Sequence, residues 1–142
     1  MDEAAWRGGL APHYDYMLTE KPADPNMRES ASVWVYEENG EFAFPRNGIE
    51  AIGSNWDHHR YDCNFAFADG RALFESRMDG DSHSPIGADG RATILGSGGL
   101  RFECIDPYRR WRVAYEGNPV DPTSADIAAG PVGTARTTPP RY

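Results

Sequence analysis

The chain has 142 residues, a length that fits one domain, because domains cluster near ~100–150 residues. Acidic side chains outnumber basic ones 22 to 14, for a formal net charge of −8, and no basic run is longer than Arg109-Arg110. That balance excludes the basic stripe a nucleic acid requires and makes an anionic membrane surface an equally poor partner.

Residues 1–29 combine Gly8-Gly9, Pro12, Pro22 and Pro25 without a sustained period, so they are expected to form an irregular lead-in. Met1 to Arg7 has no basic region followed by an apolar stretch, and no segment approaches the ~18 apolar residues of a membrane span. No signal peptide and no membrane span are expected, and the cytoplasm is the expected location. With 15 Gly and 11 Pro the chain is cut often by turns, while 12% aromatic residues is too many for a disordered polymer.

Strand signals begin at Ser30. Val33 and Val35 alternate with Ser32, Trp34 and Tyr36, Asn39-Gly40 interrupts, and Phe42 and Phe44 alternate again. This pattern predicts a hairpin, with Asn39-Gly40 as a two-residue type I′ turn. A second hairpin is predicted about Asp69-Gly70, between Asn64–Ala68 and Arg71–Phe74, and a further turn at Asp89-Gly90. The string Ala-Asp-Gly-Arg-Ala occurs at 68–72 and again at 88–92, but the flanks differ, so it reads as one turn chemistry used twice and not as a repeat architecture.

Farther on, Leu100, Phe102 and Cys104 share one face of a strand that Asp106-Pro107 turns back. On the return strand Trp111, Val113 and Tyr115 oppose Arg110 and Arg112, the alternation of a sheet with one buried and one wet face. Residues 30–117 are therefore expected to form an all-β domain, an antiparallel meander of six or seven strands forming a barrel, complete or incomplete, or a curved sheet with an open side. Residues 118–142 are rich in Pro and Gly and read as an extended tail. Open sheet edges predict either a second β-domain or self-association to cover them.

Several strings resemble the N-terminal half of the lipocalin-like proteins related to carotenoid 1,2-hydratase (hydroxyneurosporene synthase) and the AttH-like proteins. They are Lys21–Ser30, Val33-Trp34 with Asn39-Gly40, Pro45-Arg46 followed by Gly48–Ala51, Trp56-Asp57, and Asn64 to Arg71, within about residues 18–117. Members of that family carry two consecutive β-domains. The resemblance therefore implies a half that pairs with a second domain or a fragment of a longer gene. It also implies a hydrophobic ligand such as an isoprenoid, lipid or polyketide, or alternatively a cofactor-free hydratase or isomerase working by proton transfer.

Candidate chemistry is sparse. Asn55 to Asp62 holds two histidines and two carboxylates, but His58 and His59 would point to opposite faces of a strand, so no metal site is expected. The run reads as a solvated loop or as acid–base machinery, with Asp57 and His58 as proton donors. Glu50 sits among apolar neighbours, where burial would raise its pKa and let it donate a proton, although strand parity leaves its face open. Cys63 and Cys104 lack metal or redox spacing and read as buried free thiols. No cofactor motif is present, and no cofactor is expected. The aromatic residues read as core; in a closed barrel Trp34, Tyr36, Phe44, Trp56, Phe65, Phe67 and Trp111 would instead line one ligand cavity.

Overall fold

A computed structural model describes residues 7–24, 26–49, 59–78 and 81–121. Among the described residues there are eight strands and no α-helix, so the fold is all-β and antiparallel. Strands β1 (Ser30–Ser32), β2 (Val35–Tyr36), β3 (Phe42–Ile49), β4 (His59–Ala66) and β5 (Ala72–Met78) form one sheet in the order β1-β3-β4-β5, with β2 also on β3. Strands β6 (Ile94–Ser97), β7 (Leu100–Asp106) and β8 (Arg110–Tyr115) form a second sheet in sequential order. The meander is therefore split into two sheets that face each other, and the barrel is not closed.

The first hairpin shows how local chemistry sets the ladder. Ser32 pairs with Arg46 and Val35 with Ala43, so β1 and β2 are one extended run in a single register against β3. The break between them falls opposite Pro45. Proline has no N–H to donate, and only the bond from Val33 N–H to the Pro45 carbonyl, 3.2 Å, survives there.

The turn at Asn39-Gly40 requires a correction. A type I′ turn needs positive φ at both central residues, yet Tyr108 is the only non-glycine residue with positive φ among the described residues, while Gly40 lies at φ 88°. Gly40 N–H bonds to the Glu37 carbonyl at 3.0 Å and Glu37 N–H to the Glu41 carbonyl at 2.9 Å, which defines a type I turn followed by a left-handed glycine. Asn39 instead uses its side chain, accepting the Glu41 N–H at 3.1 Å. The Asp69-Gly70 and Asp89-Gly90 loops follow the same plan. In each, the aspartate accepts the N–H of the arginine two residues on at 3.0 Å and pairs with its guanidinium. The repeated string thus folds twice into one loop.

Parity then builds the core. Tyr61 and Cys63 of β4 turn inward to meet Leu95, Leu100 and Phe102 of the second sheet, and these five buried residues form the central cluster. Val33, Phe65, Val113 and Tyr115 pack around it. Burying an aliphatic or aromatic side chain of this size stabilises by roughly 1.5–3 kcal/mol. The run 59–62, read from sequence as solvated loop or acid–base site, is the start of β4. His59 and Tyr61 are buried, and Arg60 and Asp62 lie on the outer face in a polar cluster with Ser76.

Candidate functional site

The lead-in is not a passive segment. Pro12–Asp15 make a single 3-10 turn begun by proline, whose fixed φ suits a first helical position. This turn delivers Asp15 to the β7–β8 hairpin, where its Oδ2 accepts the Tyr108 N–H at 2.7 Å and the Trp111 Nε1–H at 3.1 Å, with Cys104 Sγ at 3.6 Å. Tyr108 occupies the left-handed region at φ 62°, a conformation costly for a bulky residue, and the Asp15 carboxylate holds that strained turn. Beyond it, Met17 N–H bonds to the Ala92 carbonyl at 2.8 Å and Tyr16 Oη meets Arg91 at 2.5 Å. Leu18 N–H bonds to Glu29 Oε2 at 3.1 Å, which ties the same segment to the start of β1.

Residues 14–18 thereby lie across the open side between the two sheets and line a solvent-open cleft of about 710 Å³. Its apolar wall is Met17, Leu18, Ala31, Val33, Phe102 and Val113, with the Trp111 ring beside them. Tyr14, Asp15, Tyr16, Glu29, Ser30 and Ser32 supply the polar groups. A volume within ~300–1,000 Å³, an apolar wall and a few convergent polar groups are the attributes of a small-molecule site.

A second polar constellation lies deeper. Glu75 is 7% exposed, and its carboxylate accepts hydrogen bonds from Tyr115 Oη at 2.5 Å, Arg77 Nε at 2.9 Å, Asn118 N–H at 3.0 Å and Tyr61 Oη at 3.1 Å. Burial alone would raise this carboxyl; the bonds from Tyr115, Arg77, Tyr61 and Asn118 outweigh it and hold the group below its ordinary range. Burial, and then the charge of Glu75 together with the hydrogen bond to it, pushes both tyrosines upward, so their hydroxyls stay protonated donors. A side chain at Gly117 would run into Glu75 Oε2 and the Tyr115 hydroxyl, so glycine lets the chain pass close to this cluster. With every neighbour donating to it, Glu75 ties β4, β5, β8 and residue 118 together and is not a poised acid.

The thiols are inert. Burial, reinforced by Glu75 and Asp62, pushes Cys63 up to about 12, and burial, reinforced by Asp15, does the same for Cys104.

The residues singled out from sequence fall in several places. Glu50, Trp56, Asp57 and His58 lie outside the described residues. Trp34 and Tyr36 are 58% and 71% exposed on the outer face of the first sheet. They cluster there with Phe42 and Phe44, the Trp34 and Phe44 centroids being 4.2 Å apart. Phe65 points inward and meets the Tyr115 ring at 5.5 Å. Phe67 sits in the Asp69-Gly70 loop under the Arg71 guanidinium at 5.1 Å. Of the described members of this aromatic set, Trp111 alone lines the cleft, and Trp34, Tyr36 and Phe44 cannot share a cavity with it because strand parity turns them away. Sequence reading missed Tyr14–Leu18 and Glu75. The aromatic run Tyr14-Asp15-Tyr16 is a visible signal for the first, and the alternation Leu73, Glu75, Arg77 on a strand is the corresponding signal for the second.

Compared with protein-family models, curated proteins and solved structures, the chain gives no match in any of the three. No described helix is long and apolar enough to cross a membrane.

Proposed function

We propose that this chain is a lipocalin-like domain that binds a hydrophobic small molecule of isoprenoid, lipid or polyketide type in the cleft between its two sheets. The observation that carries this reading is the apolar wall from Met17 to Val113 around about 710 Å³ of space. Such a wall loses water on occupation, and each buried methylene of a ligand contributes ~0.8 kcal/mol. The sequence strings that resemble the two-domain carotenoid 1,2-hydratase family accord with the same ligand class and with a place as the first of two β-domains. Buried free thiols accord with a cytoplasmic setting, where thiols remain reduced.

The test is a titration of the full chain with a retinoid or a long-chain isoprenoid alcohol, following tryptophan emission. Saturable quenching with micromolar affinity is expected, and Trp111→Phe is expected to remove most of its amplitude. Ala31→Phe, which places a ring in the cleft, is expected to weaken binding at least about tenfold, or ~1.4 kcal/mol. Unchanged affinity in a folded Ala31→Phe protein overturns the assignment to this cleft.

A further inference from the structure

We infer that the molecule held in this cleft is an organic cation, an apolar body bearing an amine or quaternary ammonium group, and not a carboxylate-headed lipid; the inference rests on the cleft reading above. Among the described residues that line the cleft there are two carboxylates, Asp15 and Glu29, and no lysine, arginine or histidine. Both carboxylates are oriented by hydrogen bonds: Asp15 accepts from Tyr108 and Trp111, and Glu29 accepts the N–H groups of Leu18 at 3.1 Å and Ser30 at 3.2 Å.

Three aromatic faces stand beside these charges. Tyr14, Tyr16 and Trp111 line the same space, and rings of this kind attract a cation through their quadrupole. Tyr16 already does so on one side, with the Arg91 guanidinium 5.4 Å from its centroid. That arginine also donates to Tyr16 Oη and pairs with Asp89, and it is not itself among the residues that line the cleft. An incoming carboxylate would meet two negative charges in a partly dehydrated site and no cation among the described lining residues, whereas an ammonium would find both charge and ring faces. The apolar wall then takes the body of the molecule and the acidic, aromatic end takes its head.

The decisive experiment compares three ligands of one chain length, decyltrimethylammonium, decanol and decanoate, by calorimetry on the full chain at pH 7. The expected order is ammonium tightest, decanol intermediate, and decanoate at least about tenfold weaker than the ammonium. Glu29→Gln is expected to reduce the ammonium-to-decanoate ratio several-fold while leaving decanol affinity within about twofold. Tyr16→Leu, which keeps the charges and removes a ring, is expected to weaken the ammonium selectively. Glu38→Gln, in the Asn39-Gly40 loop, changes the net charge by the same amount and is expected to leave the ratio unaltered. Decanoate binding as tightly as the ammonium overturns the inference while leaving the cleft reading intact, as does a Glu38→Gln effect equal to that of Glu29→Gln. Failure of all three ligands to bind overturns the cleft reading itself.

Discussion

At the scale of single residues, the molecule depends most on Glu75. Four donors from β4, β5, β8 and residue 118 converge on it, and hydrogen bonds to a charged group contribute ~1.5–3 kcal/mol each. Its folded pKa lies below the ordinary glutamate value of about 4.5, so the native state binds this proton less readily than the unfolded chain. Its stabilising contribution is therefore complete above about pH 4.5 and is lost as pH falls through the folded value. Urea unfolding as a function of pH should show wild-type stability dropping in that acid range, with a flatter profile for Glu75→Gln and a loss of ~2 kcal/mol at pH 7. The thiols give a simpler prediction. With both pushed up to about 12, Cys63 and Cys104 should resist a disulfide reagent at pH 8 in the folded protein and react within minutes once unfolded; fast labelling of the native chain would contradict their burial.

At the scale of elements, the loops and the lead-in set the geometry. Gly70 sits at φ 87° with open space around its Cα, so Gly70→Ala pays only the backbone cost, an expected loss of ~1 kcal/mol in thermal or urea unfolding. Asp15→Ala removes the acceptor for Tyr108 and Trp111, and it should cost ~2 kcal/mol and weaken ligand binding, because residues 14–18 then lose their anchor. What was legible in the sequence was local: dipeptides marked the turns at 39–40, 69–70, 89–90 and 106–107, and alternation along 100–104 and 110–115 gave the correct buried faces. The turn type was not legible, since an Asx hydrogen bond from Asn39 decides between two loops with the same composition. Nor was the face of Trp34 and Tyr36, because their neighbours Val33 and Val35 are equally apolar and only the register with β3 orients the pair. The cleft was hidden for a related reason, its clasp joining residue 15 to residues 108 and 111 across the length of the domain.

At the scale of the whole molecule, the described residues present an apolar cleft and an outer aromatic face of Trp34, Tyr36, Phe42 and Phe44. The outer face adjoins the short edge strand β2, and a second copy of the chain is the occupant proposed for it. The net charge of −8 opposes that encounter, so sedimentation should show association strengthening as salt rises from 0.05 to 0.5 M and weakening in Trp34→Ser; a compact monomer under every condition would contradict it. The two faces also give the ligand a choice, and amide hydrogen exchange with and without a saturating isoprenoid alcohol or alkylammonium separates them. The cleft account predicts added protection at residues 14–18, 30–33 and 111–113, with none at 34–36 and 42–44. Protection confined to the outer aromatic strands, with the lead-in unchanged, would contradict it.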